Sequence, residues 1–358
     1  MKAPFPYFGG KSLVASLVWQ ALGEVDCYVE PFFGSGAVLL NRPGWEPGCG
    51  LVETVNDKDG LVANFWRALQ HDPEAVAFHA DYPVFENDLH ARHAWLVGRK
   101  DSLQTRLEGN PNYYDAKAAG WWCWGLACWI GSGFCSGKGP WRVRRVNGAR
   151  RLVKGNAGHG VNRKLVHLGN AGRGVNRQLV HLGGAGRGVN RKRVHLGDAG
   201  RGDPGNGECG LLAWMQALAD RLARVRGCCG DWTRVCGGRS GDALHHLTQF
   251  GICGIFLDPP YSGGIGRAEA LYRVEDLQVS HDVRDWCIQH GDDPRLRIVL
   301  CGYDTEHKLP RGWRCMDGKT RPGMAQIGNG NGKANRHRER LWLSPHCLRL
   351  SRQKAVAA

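Results

Sequence analysis

Short apolar runs alternate with amphipathic stretches along much of the chain, and this alternation predicts an α/β fold. Each apolar run ends at polar or glycine-rich positions, which is typical of a buried strand in a parallel sheet. The stretches between them repeat their apolar positions at helical spacing. The pattern predicts strands at residues 27–30, 51–55, 233–236, 252–257, 296–301 and 340–344, and helices at residues 13–22, 60–69, 82–107, 114–130, 211–226 and 279–290.

The strand at residues 252–257 leads directly into Asp258-Pro259-Pro260-Tyr261, and this tetrapeptide predicts an active site. Loops at the carboxyl ends of parallel strands commonly carry the chemistry. The two prolines fix the backbone and remove two N–H donors, so the Asp258 carboxylate and the neighbouring carbonyl can accept hydrogen bonds from an exocyclic amine. Tyr261 offers a flat face for a flipped-out base. A strand end followed by a simple turn is the alternative interpretation.

Two glycine-rich segments predict a ligand site at the first strand. One precedes the first helix, and the other follows the strand at residues 27–30 and leads into a further predicted helix that extends to Leu40. Small residues there let a ligand approach the backbone at a helix start. A dinucleotide fingerprint would need glycine at Leu39, so a smaller adenosine ligand fits better. The candidate residues are Tyr7, Gly9, Gly10, Lys11, Glu30, Pro31, Phe32, Gly34, Ser35 and Gly36.

Two acids extend this ligand site. Asp57 ends the strand after the glycine turn, about twenty residues beyond it, where an acid can accept hydrogen bonds from ribose hydroxyls. Asp242 follows the strand predicted at residues 233–236 and could face the amine of an adenine ring. Helix capping is the alternative role for each of them.

The middle of the chain predicts a nucleic-acid interface. Residues 121–130 are apolar on all sides, which indicates a buried helix, and a glycine-rich loop follows at residues 131–139. Such a loop can bring the backbone close to a nucleic-acid strand. For the individual tryptophans, packing in the core is the competing interpretation. The candidate DNA-binding residues are Ser132, Lys138, Trp141, Arg142, Arg144 and Arg145.

The net charge of +15 comes almost entirely from one segment. Residues 141–202 contain 15 Lys or Arg and one acid, Asp198. A polyanionic partner is the simplest explanation, because Lys and Arg gain affinity by neutralising phosphates. A solvated basic insertion is the alternative.

Within that segment a 14-residue unit occurs three times, at residues 155–168, 169–182 and 183–196. Each copy places a histidine at the same position, namely His167, His181 and His195. Three hypotheses remain: a basic arm along DNA, a neutral insertion, or a metal site. The copies lack a Cys or acidic partner at ligand spacing, which argues against metal.

The remaining composition predicts an intracellular enzyme. The 14 cysteines include no CxxC pair, so we expect reduced thiols, mostly in the core, rather than zinc sites or disulfides. No long apolar segment or signal sequence is evident, which predicts a soluble, cytoplasmic protein without a membrane partner.

In order along the chain, these motifs resemble those of the DNA adenine methylase family, the Dam-type enzymes of the alpha group. The resemblance covers residues 4–70 and 233–344, and more loosely 116–142. Residues 6–11 resemble the amino-terminal cofactor motif, residues 30–36 the glycine motif and residues 258–261 the catalytic motif. Asp57 falls at the position of the ribose-binding acid and Asp242 at that of the adenine-binding acid.

The resemblance implies a doubly wound, Rossmann-like methyltransferase sheet with a last antiparallel strand, a helical target-recognition region and a basic repeat insertion. It implies S-adenosyl-L-methionine as cofactor, no metal, and methyl transfer to the N6 amine of adenine in double-stranded DNA after base flipping. Asp258, Pro259, Pro260 and Tyr261 would be catalytic. Alternatives are the N4 amine of cytosine, an RNA substrate, or a catalytically idle DNA-binding protein. A cognate restriction enzyme is a candidate partner, and a monomer is expected.

The same resemblance and the charge distribution divide the chain. Residues 1–80 and 206–346 form the catalytic domain, with the cofactor-binding part first. Residues 81–142 form the target-recognition region, residues 143–205 the repeat insertion and residues 347–358 a tail.

Overall fold

The fold is given by a computed structural model, which describes residues 1–7, 10–48, 50–129, 134–135, 141–146, 149–154, 210–237, 247–261, 278–318 and 338–350. For residues 141–146 and 149–154 the backbone alone is described. The helices are α1 (Ala15–Leu22), α2 (Gly60–His71), α3 (Pro73–Ala80), α4 (Glu86–Gly109), α5 (Ala116–Cys128), α6 (Leu211–Leu222), α7 (Thr233–Cys236) and α8 (Val279–His290). The strands are β1 (Cys27–Glu30), β2 (Val52–Asp57), β3 (Trp141–Val146), β4 (Ala149–Lys154), β5 (Arg226–Cys229), β6 (Cys253–Leu257), β7 (Leu296–Tyr303), β8 (Arg314–Asp317) and β9 (Glu339–Leu343).

Seven strands form one mostly parallel sheet in the order β5-β2-β1-β6-β7-β9-β8. The five strands from β5 to β7 in this order are parallel, whereas β9 is antiparallel to β7 and β8 is antiparallel to β9. The predicted α/β class with a parallel sheet and a last antiparallel strand is therefore confirmed. This order is compatible with a Rossmann-like sheet.

The order of the strands reverses between β1 and β6. Cys27 at the start of β1 pairs with Val52 of β2 on one side and with Cys253 of β6 on the other. A crevice forms outside the carboxyl ends of the strands at such a reversal, and ligands commonly bind there. Glu30 ends β1 and Asp258 follows β6, so two of the predicted motifs lie at this edge of the sheet.

Helices cover both faces of the sheet, which explains the continuous apolar runs of its strands. Tyr28 packs in one cluster with residues of α1 to α6, whereas Val29 belongs to a second cluster that includes residues of α7 and α8. Helix α5 is buried over most of its surface, including Trp122 and Trp124, as the apolar pattern predicted.

The helix predicted after the glycine turn of β1 does not form. Only a short 3₁₀ helix, Leu39–Asn41, is present. Arg42 is extended, with φ −58° and ψ 125°, and it precedes Pro43. A residue before proline is sterically disfavoured in the helical region, which ends the turn there.

The third parallel strand also differs from the prediction. Residues 233–236 form the short helix α7, while the strand is β5, of which only the first residue, Arg226, was predicted as the end of a helix. The Asp231 carboxylate accepts hydrogen bonds from the backbone N–H and the hydroxyl of Thr233, at 3.1 and 2.7 Å. This Asx turn favours a helical turn over the residues that follow, whereas the β-branched Thr233 and Val235 had suggested a strand.

Helix α3, strand β8 and the antiparallel hairpin of β3 and β4 were not predicted from the sequence. The hairpin crosses the predicted boundary between residues 142 and 143, and both of its strands contact α4. The three repeats lie outside the described residues, as does most of the glycine-rich segment at residues 317–338.

Candidate active site

A cleft opens at the carboxyl ends of β1, β2, β5 and β6. It holds about 910 Å³ of space between atoms, part of it open to solvent. The predicted ligand residues that line it are Tyr7, Gly10, Lys11, Glu30, Pro31, Phe32, Gly34, Ser35 and Asp57, and Asp258 and Pro260 of the predicted catalytic loop line it too. Gly9 and Asp242 lie outside the described residues.

The glycine turn after β1 is fixed by its neighbours. Gly34 has a φ of +47°, and its N–H donates to the Asp57 carboxylate at 2.8 Å. A Cβ at Gly34 would lie 2.6 Å from Cε1 of Tyr7. Gly36 does not line the cleft, but its φ of +61° closes the turn through a 2.7 Å hydrogen bond to the Phe33 carbonyl. The turn therefore needs glycine at both positions.

Asp57 is tied to this turn rather than to the following helix. One carboxylate oxygen accepts from Gly34 and the other from the backbone N–H of Asp59, at 2.8 Å each. The cap of α2 is Asp59, whose carboxylate accepts from the N–H of Leu61. The capping alternative thus applies to Asp59, and Asp57 faces the cleft.

Asn56, near the end of β2, joins the loop after β1 to the loop after β5. Its side chain is buried, and its amide donates to the carbonyls of Pro31 and Gly230 at 3.0 Å each. The backbone carbonyl of Asn56 also accepts from Phe33. The loops after β1, β2 and β5 are therefore held as one rigid wall.

The loop after β5 contributes three residues that sequence reasoning missed, namely Gly230, Asp231 and Trp232. Asp231 and Trp232 line the cleft, and the Trp232 ring lies against Phe32 with centroids 6.5 Å apart and an interplanar angle of 28°. Asp231 also faces Lys58 at 3.8 Å. The available signal was the segment Cys228-Cys229-Gly230-Asp231, in which an acid follows a short apolar pair and a glycine.

Asp258 lies in a compact group of polar side chains. Its Oδ1 atom accepts a hydrogen bond from the hydroxyl of Tyr261 at 2.9 Å and forms an ion pair with Nζ of Lys11 at 3.0 Å. The Lys11 ammonium lies over the Tyr261 ring, 5.1 Å from its centroid. On another side, the ring of Tyr303 meets Tyr261 edge-on at 4.8 Å.

A second acid that sequence reasoning missed approaches the same lysine. Glu339, the first residue of β9, places Oε2 at 3.8 Å from Nζ of Lys11. No local motif marks Glu339, because its relation to Lys11 depends on the pairing of β9 beside β7.

Glu30 is a buried acid with no cation among its hydrogen-bond partners. Burial raises its pKa to about 8, and the nearby Asp258 contributes in the same direction. The Tyr28 hydroxyl and the backbone N–H of Leu39 donate to Glu30 at 2.9 and 3.3 Å and partly oppose this shift. Glu30 is therefore predominantly protonated near neutral pH.

The predicted DNA-binding residues fall in two groups. Trp141, Arg142, Arg144 and Arg145 lie in β3, and Ser132 and Lys138 lie outside the described residues. The Cα register places Arg144 opposite Arg151 and Arg145 opposite Arg150. Like charges directly opposite each other destabilise a strand pair unless an anion compensates them.

The fold and the cleft together define a protein with a mostly parallel α/β sheet and a polar ligand site at its strand-order reversal. No family model matches the chain, and no curated protein matches it. Among the described residues, no helix combines the length and apolarity that a membrane span requires.

Proposed function

We propose that the protein is an S-adenosylmethionine-dependent methyltransferase that acts on the exocyclic N6 amine of adenine in duplex DNA. One observation carries the proposal. Asp258 and Pro260 of the loop at residues 258–261 line the same cleft as the Gly34 turn, at the strand-order reversal of a mostly parallel sheet. A small adenosine ligand and an acceptor for an amine would thus be neighbours.

The residues of the cleft fit this cofactor. Four acids besides the protonated Glu30 line it, against two lysines, which favours a sulfonium cation over a phosphate-rich ligand. The rings of Phe32 and Trp232 offer flat apolar walls for a purine. Asp57 and Asp231 have lone pairs for hydroxyl or amine donors beyond the hydrogen bonds they already accept. When bound, S-adenosylmethionine supplies an electrophilic methyl group.

The residues around Asp258 suit a flipped-out base. The base would stack on Tyr261 and donate its two amine hydrogens to the Asp258 carboxylate and the Pro259 carbonyl. These contacts would turn the nitrogen lone pair toward the methyl group, so that a carbon–nitrogen bond would form as the sulfur–methyl bond breaks. S-adenosylhomocysteine would leave, and the proton lost by the amine would pass to the Asp258 carboxylate. The acceleration would come chiefly from alignment of the reacting atoms.

The β3–β4 hairpin supports a nucleic-acid substrate. Its two strands carry six basic residues and no acid, and two arginine pairs face each other in register. Phosphates of a DNA backbone would neutralise this charge and release counterions. The predicted target-recognition region, residues 81–142, supplies the helix α4 that this hairpin contacts.

The test is transfer of labelled methyl from S-adenosylmethionine to unmethylated duplex DNA, followed by nucleoside analysis. We expect N6-methyladenine from the wild type and at least about a 100-fold lower rate from Asp258→Asn, since a charged acceptor is replaced by a neutral amide. Asp317→Asn is the matched control, because this exposed carboxylate pairs with Arg340 on the same sheet. If the product is methylcytosine, the target base is cytosine rather than adenine. If structured RNA is methylated faster than duplex DNA, the substrate is RNA.

Two further outcomes would reject the assignment. If the Asp258→Asn variant is as active as wild type, Asp258 is not the catalytic acceptor of the amine. An absence of product on every nucleic acid, together with DNA binding, would identify a catalytically idle DNA-binding protein.

A further inference from the structure

Lys11 is shared between two carboxylates at the edge of the cleft. Its Nζ atom lies 3.0 Å from Oδ1 of Asp258 and 3.8 Å from Oε2 of Glu339. The Lys11 side chain is 5% exposed, and those of Asp258 and Glu339 are 19% and 14% exposed. A charge this removed from water needs a carboxylate partner in every state of the site.

The observed position of Lys11 conflicts with binding of the target base. Its ammonium already forms an ion pair with Oδ1 of Asp258, and this oxygen also accepts a hydrogen bond from the Tyr261 hydroxyl. It also lies over the Tyr261 ring, where a stacked base would need the space. The same group therefore obstructs two of the contacts that the proposed function assigns to the base.

Glu339 offers the ammonium a second position. A charge-assisted hydrogen bond between an ammonium and a carboxylate is about 2.8 Å long, so a shift of about 1 Å would complete the contact with Glu339. Lysine suits such a movement, because its ammonium is a compact charge on a flexible stem. The lysine would keep a carboxylate partner while Asp258 is released.

We propose that Glu339 is a positioning residue that receives the Lys11 ammonium when the target amine binds Asp258. This inference rests on the proposed function and deepens it, because it adds a residue outside the recognised motifs. Asp258 holds Lys11 at 3.0 Å in the structure, and Glu339 holds it during methyl transfer. Glu339 thus acts through Lys11 and does not touch the base.

The first experiment compares Glu339→Gln with wild type and with the control Asp317→Asn, on the same sheet. Neutralising Glu339 leaves Lys11 on Asp258, so we expect kcat/KM for duplex DNA to fall about tenfold. The dissociation constant of S-adenosylmethionine, measured by equilibrium dialysis, should change less than about twofold. Glu339→Asp retains the charge and should recover part of the loss.

The second experiment is a double-mutant cycle with Lys11→Met, measured in single turnovers so that slow variants remain quantifiable. Lys11→Met removes the ammonium, so in this variant Glu339 has no cation to bind when the target amine occupies Asp258. Adding Glu339→Gln to Lys11→Met should therefore leave kcat/KM within about twofold of the single variant. A further tenfold loss would show that Glu339 acts independently of Lys11 and would overturn the inference.

The failures of the inference and of the proposed function are distinguishable. If wild type methylates DNA and Glu339→Gln matches it, the role of Glu339 is wrong and the proposed function stands. If kcat/KM of the Glu339→Asp variant is no higher than that of the Glu339→Gln variant, the positioning role of Glu339 is likewise wrong. If wild type methylates no nucleic acid, the proposed function and this inference fall together.

Discussion

Two carboxylate–cation contacts in this protein are built in opposite ways. Behind the cleft, Glu53 of β2 binds the Arg221 guanidinium of α6 through two hydrogen bonds of 2.6 and 2.8 Å, with both side chains buried. The same guanidinium donates to the Leu39 carbonyl at 3.0 Å. At the cleft, a single lysine ammonium is shared by Asp258 and Glu339 at unequal distances.

The difference lies in what each cation can do. The planar guanidinium of Arg221 is held by a bidentate contact and a further carbonyl, so it fixes α6 against the sheet. Lys11 makes one short contact and one longer contact, and its ammonium can exchange between them. The first arrangement serves the fold, and the second would allow Lys11 to release Asp258 to a substrate.

The largest effect is expected from breaking the pair behind the cleft. Arg221→Met retains much of the side-chain volume but leaves the Glu53 carboxylate buried without its main partner. We expect the free energy of unfolding to fall by about 3 kcal/mol, because a buried charge is left uncompensated. This value lies at the lower end of the usual loss of stability for a broken buried ion pair, because Arg42 remains 3.3 Å from Glu53. Denaturant unfolding followed by circular dichroism measures this change.

The control for this prediction is the methyltransferase activity of the folded Arg221→Met variant. Methyl transfer per folded Arg221→Met molecule should stay within about twofold of wild type at low temperature. A large loss of activity in the folded variant would show that the two contacts are coupled, and an unchanged free energy of unfolding would show that the buried pair does not stabilise the fold.

The two regions also differ in what the sequence could predict. Residues 252–261 combine an apolar run, two prolines and an aromatic residue within ten positions, so local patterns sufficed for β6 and its loop. Asp231 follows β5, whose short Arg-Gly-Cys-Cys sequence lacks a strand pattern and is stabilised by pairing with β2. Glu339 and Arg221 reach their partners only through tertiary packing. Contacts between distant segments left no local signal.

Glu30 allows a second test, because it is a buried acid on the strand next to Glu53 but lacks a guanidinium partner. Its pKa of about 8 in the folded protein exceeds the ordinary value of 4.5. The folded state therefore retains a proton that the unfolded chain loses, and stability falls as the pH rises from about 4.5 to about 8. Glu30→Gln cannot titrate, so it should become more stable relative to wild type over this window, by up to about 1.4 kcal/mol per pH unit.

Denaturant unfolding at pH 5.5, 6.5 and 7.5 measures this slope. Asp317→Asn, which removes an exposed carboxylate, should give a curve parallel to that of wild type. If the Glu30→Gln curve is also parallel to wild type, Glu30 is ionised in the folded protein and the contrast with Glu53 is weaker than its environment indicates.

The smallest effect concerns the rigid half of the cleft, where Gly34 is held by Asp57. Gly34→Ala would place a Cβ 2.6 Å from Tyr7 on a backbone with positive φ. Displacement of Tyr7 and of the turn should weaken binding of S-adenosylmethionine about tenfold, equivalent to about 1.4 kcal/mol. Equilibrium dialysis measures the dissociation constant.

Gly44→Ala separates strain from crowding at the glycine turn. Gly44 has a φ of +62°, close to that of Gly34, but no atom lies within 4 Å of the position of its Cβ. A left-handed backbone costs an alanine about 1–2 kcal/mol wherever it occurs, so Gly44→Ala should lose stability and still bind the cofactor with wild-type affinity. Equal affinities for the Gly34→Ala and Gly44→Ala variants would mean that the turn is not fixed by Tyr7 and Asp57. The rigid wall would then be as adjustable as Lys11, and the contrast between a fixed site for the proposed cofactor and a movable site for the proposed base would fail.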